Sequence, residues 1–345
     1  MPPAEPCPRG VDEPVTPRWS RRAIFSGGPL RPKPEADFWI RVSRPAMACL
    51  FEATLASEDS SSVPATRAAL DVVDAIEDQL TIFRDTSAVA DLNRRAAIEP
   101  VVVGQALFDL LLECVALHRD TGGAFDLTST PLSRCWGFLE RDGRLPSPEA
   151  IEETRTKVGF DAVILDAGTR TVRFDRRGIE LNFGAIGKGY ALDRAAARMR
   201  ATGVSRALLS AGRSSLLALG GKDGRWAIDL VSPRIDRPFA RVRLCDAALG
   251  TSGAGEQFVI VDGVRYGHVI DPRSGRPASG IVSATVVARD AATADALSTA
   301  FLVGGIELAR RYCAGHANVM ALMTPEGRQG PVMIGGHPGA LVEEL

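Results

Sequence analysis

The 345-residue sequence predicts an α+β fold made mostly of antiparallel sheets with packed helices. Two observations carry that prediction. Short apolar runs recur between glycines, as at 163–166, 171–175 and 179–183, which is the pattern of strands joined by tight turns. Among them stand longer segments with apolar residues every three or four positions, and neither a regular β-α-β alternation nor a short repeat organises the chain.

Taken in order, residues 1–38 are rich in Pro, Arg and Gly without a sustained period and read as a disordered leader, with one domain over 39–345. Arg21-Arg22 is followed by Ser26-Gly27-Gly28-Pro29 where an export signal needs an apolar stretch, and Cys7 has no apolar run before it. A cytoplasmic location is therefore expected. Structure begins near Phe38, and 50–55, after Met47, reads as a strand. Leu70, Val73, Ile76, Leu80 and Phe83 mark an amphipathic helix over 65–83, and a second helix over 105–118 stops at Gly122-Gly123. A meander over 163–183 precedes a helix at 188–202. Strands are expected near 206–210, 215–219, 226–231, 240–245, 257–261 and 282–288, then helices at 292–303 and 305–314 and a strand at 318–323.

Composition narrows the function classes. A net charge of −1 lacks the basic excess with which a protein holds a polyanion, so nucleic acid is not expected as a partner. No stretch approaches the roughly 18–20 apolar residues of a membrane span. The six cysteines contain no C-x-x-C pair, and the four histidines do not complete a zinc pattern, so the cysteines read as small buried hydrophobes.

Four segments carry chemistry. Asn182–Asp193 (NFGAIGKGYALD) brings glycines to the start of a helix, where the backbone approaches a ligand closely and unpaired N–H groups face a phosphate; Lys188 adds a positive charge. Asp295 and Thr299 are four apart on one helix face and offer hard oxygens of the kind Mg²⁺ takes, although a helix-end aspartate and a back-bonded threonine read equally as structure. In Tyr266–Pro277, His268 has the chemistry of a general base or a phosphate contact, or is simply packed, ahead of a turn at Pro272 and Gly275. Gly250-Thr251-Ser252-Gly253 nearby reads as a tight turn. In Thr121–Thr128, Asp126 and its threonines suit a cap or a heterocycle contact.

Together and in this order the four segments resemble the ApbE family, the FAD:protein FMN transferases, over about residues 42–325. Gly122–Thr128, Gly184–Asp193, His268–Gly275 and Asp295–Thr299 match its motifs, and 85–93 resembles its D-S-x-x-x-x-x-N stretch. The resemblance implies an ApbE-like, T-fold-related architecture with a cleft between subdomains. It also implies Mg²⁺-dependent movement of FMN from FAD onto a Ser or Thr hydroxyl of an acceptor protein, with release of AMP. By resemblance, Asp295, Thr299 and the Gly187 carbonyl hold the metal and His268 is the base. Met47, Phe83, Ala124, Phe125, Asp126, Gly184, Tyr190 and Val269 line the FAD site, and Lys188 is placed near the phosphates by its charge.

Some positions depart from the family pattern. Phe83 stands where tyrosine is frequent, 211–215 (AGRSS) replaces a G-G-N-type turn, and 253–258 lacks an S-G-x-Y-x-R character. The altered 253–258 stretch motivates an alternative, an FAD pyrophosphatase in which water replaces the acceptor hydroxyl. The altered turn motivates another, an FAD-binding protein without turnover. His118, His316 and His337 fall outside the motifs used for catalysis and are expected to tolerate alanine. The sequence names neither the acceptor nor the oligomeric state.

Overall fold

Eight antiparallel strands form the main sheet, in the spatial order Trp39–Ala46, Cys49–Ala56, Ala207–Ala211, Ser215–Leu219, Ala247–Gly253, Ile281–Ala288, Met320–Pro325 and Val332–Gly335. This computed structural model describes residues 38–345 except 222–224, 232–236, 256, 262 and 329. The leader expected over 1–38 thus lies almost wholly outside the described residues, as does Glu256 of the 253–258 stretch.

The sheet is covered on both faces, which is why its inner strands read as nearly unbroken apolar runs. Side chains alternate between faces along a strand. Leu209, Leu217 and Leu219 join the main core with the helices Val63–Leu80, Gly187–Ala201 and Ala291–Gly315. Leu208, Leu216 and Ala218 face a second core, closed by the sheet of Ala340–Glu344, Pro238–Leu244 and Trp226–Val231. A third, smaller cluster of Leu132, Trp136, Phe138, Ile151, Val158, Val259 and Ile270 gathers the segment 130–158 and the hairpin Phe258–Val261/Val264–Gly267 into a separate block. The expected α+β, mostly antiparallel class is what the chain adopts, and the cleft lies between this block and the main core.

Several local expectations differ from the structure. Residues 179–183 form no strand. Asn93 takes the place of a neighbouring strand, accepting from the Leu181 N–H at 2.7 Å and donating to its carbonyl at 3.0 Å. The third member of that small sheet is Val101–Val102. Residues 250–253 are not a turn but lie in Ala247–Gly253, paired on both sides. Gly250 is there because a Cβ would stand 2.5 Å from the Ala294 backbone of the helix that crosses the strand. Met47 opens no strand: with Ala48 it makes the two-residue turn between the first two strands, both at positive φ (48° and 56°), as a right-handed hairpin twist requires. The first helix ends at Leu80, so Phe83 is off its apolar face and 76% exposed.

The two expected C-terminal helices run end to end as Ala291–Gly315, broken at Gly305 by a φ of 72°. By length and composition this segment reaches the range of a membrane span, the one helix among the described residues to do so, against the expectation of none. Some 61% of its most apolar window is buried inside the fold, so its hydrophobicity is that of a core helix.

Candidate functional site

A cleft of about 300 Å³ opens where the small block meets the main core. Ala124, Phe125, Asp126, Gly184, Lys188, His268, Val269 and Thr299 line it, so it gathers most of the residues singled out in the sequence, with Thr251, Ser252 and Gln257 beside them. Met47, Phe83, Gly187, Tyr190 and Asp295 are not among the lining residues. Tyr190 is buried in the main core with its hydroxyl 3.5 Å from the Ala106 carbonyl, and Phe83 faces solvent.

The polar floor is built by two helix starts that meet. Gly189, in the first turn of Gly187–Ala201, donates its N–H to Asp295 Oδ2 at 2.7 Å. That approach needs glycine, because a Cβ at 189 would sit 2.0 Å from the Ala291 carbonyl oxygen. Ser215 Oγ donates to the same Asp295 oxygen at 2.9 Å. Lys188 Nζ donates to Ser214 Oγ. Thr299, one turn beyond Asp295, lies 3.0 Å from Ser252 Oγ, which also meets Ser298 Oγ at 2.8 Å.

Reading the sequence missed Ser214, Ser215 and Ser252. The unusual 211–215 turn and the Gly-Thr-Ser-Gly segment were the available signals, and what they lacked was register. Gly212, at φ 58°, donates to the Leu50 carbonyl at 3.0 Å, which places this turn beside the Met47–Ala48 turn at one end of the sheet, with Ser214 and Ser215 against Lys188 and Asp295.

The opposite wall carries His268, half-buried between the hairpin strand Val264–Gly267 and the short strand Ile270–Asp271. Its Nδ1 lies 3.2 Å from the Gln257 carbonyl oxygen, which also accepts the His268 backbone N–H at 3.0 Å. A carbonyl only accepts, so Nδ1 carries the proton and Nε2 keeps its lone pair. Burial, assisted by the Lys188 charge, holds this imidazole below its usual pKa, although the Gln257 contact pulls the other way. The ring is therefore neutral near pH 7.

The third wall is the segment 124–126. Asp126 accepts from the Thr128 N–H at 2.7 Å, the Thr128 hydroxyl at 2.6 Å and the Phe160 N–H at 3.0 Å, so its carboxylate braces the loop. His118, set aside in the sequence, stands directly behind it. Its Nδ1 reaches the Phe125 carbonyl at 2.9 Å and its ring packs edge-on against Phe160. Thr130, also lining the cleft, has a buried hydroxyl with no hydrogen-bond partner among the described residues.

The donor set fits a hard divalent cation such as Mg²⁺ or Mn²⁺ and not a soft metal that takes thiolate ligands. Among the described residues no cluster of three or more His, Cys, Asp or Glu side chains assembles. One carboxylate, Asp295, stands with the hydroxyl of Thr299 and the glycine backbone at 187–189, a sparse oxygen set of the kind Mg²⁺ accepts when a substrate phosphate supplies the rest.

Known proteins are similar to this chain in sequence and in fold. A protein from Treponema pallidum named FAD:protein FMN transferase is 34% identical over 246 residues, covering 66% of this chain and 68% of its own length. One of the same name from Escherichia coli K12 is 30% identical over 264 residues, covering 74% and 75%. The crystal structure of the ApbE protein from Thermotoga maritima superposes with a TM-score of 0.77 at 31% identity, covering 86% of this chain and 96% of that one. The family profile described as ApbE family matches residues 47–323, which takes in the Met47 turn, the glycine turn, His268 and the helix of Asp295 and Thr299. On that span the chain belongs to the ApbE family.

Proposed function

We propose that this chain is a Mg²⁺-dependent FAD:protein FMN transferase that moves FMN from FAD onto a Ser or Thr hydroxyl of an acceptor protein and releases AMP. The observation that carries the reading is the pairing across one cleft of an oxygen set suited to a cation on a pyrophosphate (Asp295, Thr299, the 187–189 turn) with a neutral imidazole whose Nε2 is an acceptor.

In this reading the start of the helix Gly187–Ala201 and the Lys188 ammonium face the pyrophosphate, where fixed N–H groups and positive charge favour an anion. Asp295, Thr299 and the Gly187 carbonyl hold Mg²⁺, whose contribution when bound is to neutralise charge on the phosphates. The walls at 124–126 and Val269 contact the flavin nucleotide, with Met47 at the neighbouring turn. His268 Nε2 takes the proton of the acceptor hydroxyl as its oxygen attacks the phosphorus of the FMN moiety. The bond from that phosphorus to the bridging oxygen breaks, and AMP leaves with the electron pair. Catalysis is then mainly positioning and charge neutralisation.

Intact-mass measurement of an acceptor domain, incubated with this protein, FAD and Mg²⁺, tests the reading. A gain of one FMN, lost with a chelator, together with AMP in the same tube, is the expected result. AMP with free FMN and an unmodified acceptor would favour hydrolysis, and neither product would leave FAD binding without turnover.

A further inference from the structure

The two helix starts that build the floor of the cleft are tied to each other twice, in opposite senses. Asp295, one turn into the helix Ala291–Gly315, accepts the Gly189 N–H at the start of the other helix. Asp193, one turn beyond Gly189 in the helix Gly187–Ala201, accepts in return from Ala291 N–H at 2.8 Å (Oδ1) and Ala292 N–H at 2.9 Å (Oδ2). Each helix thus has its first N–H groups capped by a carboxylate of the other, four residues from the residue that is itself capped. Asp290 caps the same helix locally, its Oδ1 accepting from Thr293 N–H at 2.8 Å, so Asp193 is not needed merely to start the helix.

We propose that Asp193 is a positioning residue for the cation site. Through the Ala291 and Ala292 amides it fixes the distance between the Gly187–Gly189 turn and the pair Asp295 and Thr299, so that donors from two helices reach one ion. Removing Asp193 takes away the tie from the first helix to the opening amides of the second, while Asp295 keeps its bonds from Gly189 and Ser215, so the spacing of the two helix starts is set less tightly. Outer partners that orient metal ligands in this way typically change affinity about 10–100-fold when altered. The inference rests on the metal reading above, and its test separates the two.

The measurement is Mn²⁺ binding to the full-length protein with FAD present and acceptor absent, followed by electron paramagnetic resonance of the free ion. Asp193→Asn keeps size but presents an amide N–H₂ to one of the two helix N–H groups, and the expected result is Mn²⁺ affinity about tenfold weaker. FMN transfer should recover to within about threefold of wild type at saturating Mg²⁺, a split that general loss of structure would not give. Asp290→Asn removes a charge at the same helix end but leaves the cross-tie, and affinity within about twofold of wild type is expected because Asn caps as well as Asp. Equal affinity in wild type and Asp193→Asn would overturn the inference and leave the metal reading standing. Absence of Mn²⁺ binding in wild type that still binds FAD would overturn both. Should Asp193→Asn not yield folded protein, Asp193→Glu answers instead: it keeps the charge and lengthens the reach by one methylene, and unchanged affinity there would equally sink the idea.

Discussion

His118 Nδ1 stands 2.9 Å from the carbonyl oxygen of Phe125, and through that contact a histidine outside the catalytic motifs holds the wall of the cleft. Lying outside the motifs, His118 is expected from sequence to tolerate alanine; its place behind the cleft wall argues for a loss. His118→Ala removes a hydrogen bond from a buried carbonyl and a ring from against Phe160, a cost of about 1–3 kcal/mol. FAD affinity measured by quenching of flavin fluorescence should fall about 5–30-fold, with the larger part of the effect in binding and the smaller in kcat. His337→Ala, away from the cleft, is the comparison and should leave both unchanged.

His268 should set the acid limb of the reaction. A base must be neutral to act, and burial with the nearby Lys188 charge holds this group below its ordinary value, so kcat/KM for the acceptor should stay flat at pH 7 and fall only below about 6.5. Folding carries the same sign: the unfolded chain binds the proton more readily, so this residue's contribution to stability is present above the unfolded pKa and lost as pH falls. His268→Ala should lower transfer about 10²–10⁴-fold with FAD binding nearly intact. An acid limb that persists unchanged in His268→Ala would assign it to another group.

Asp295→Ala should abolish metal-dependent transfer, and it should also weaken the fold. The Gly189 N–H and the Ser215 hydroxyl would lose their acceptor in a buried place, at about 1–3 kcal/mol for each donor left unsatisfied. Activity retained at saturating Mg²⁺ would remove Asp295 from the cation site, and a melting temperature equal to wild type would remove it from the floor.

Gly189→Ala should be among the most damaging single substitutions in the chain. The added carbon would meet the Ala291 carbonyl oxygen at 2.0 Å, against backbone that cannot swing away as a side chain does. A loss of about 3 kcal/mol or more is expected from overpacking of this kind, read by chemical denaturation. Gly336→Ala, with nothing within 4 Å of the new carbon, should change stability by no more than about 0.5 kcal/mol.

Elements whose cause is local were legible in the sequence. The helices at 105–118 and 188–202 and the strand 215–219 follow from period and glycine placement alone, and the broken helix after 291 was visible as two. Elements whose cause lies elsewhere in the chain were not. Nothing near 179–183 announces that an Asn93 side chain, nearly ninety residues earlier, replaces a neighbouring strand. Gly250 imitates a turn because the helix that demands its missing side chain arrives more than forty residues later. The site divides in the same way: Asp295, Thr299, His268 and the glycine turn lie in recognisable motifs, whereas Ser214 and Ser215 acquire their places only when the sheet brings their turn beside Lys188 and Asp295.

The indole N–H of Trp136 reaches across to the Gly275 carbonyl at 2.9 Å, and its ring leans on Tyr266 with centroids 5.4 Å apart. Those contacts hold the loop after His268 to the small block, while Val269 packs against the main core. In the proposed reaction the proton acceptor stands on the small block's side of the cleft and the phosphate-facing groups on the main core's, so transfer depends on how closely that seam fits. In that reading, substitutions that widened the seam would separate His268 from Asp295 and lower transfer while each core stayed intact.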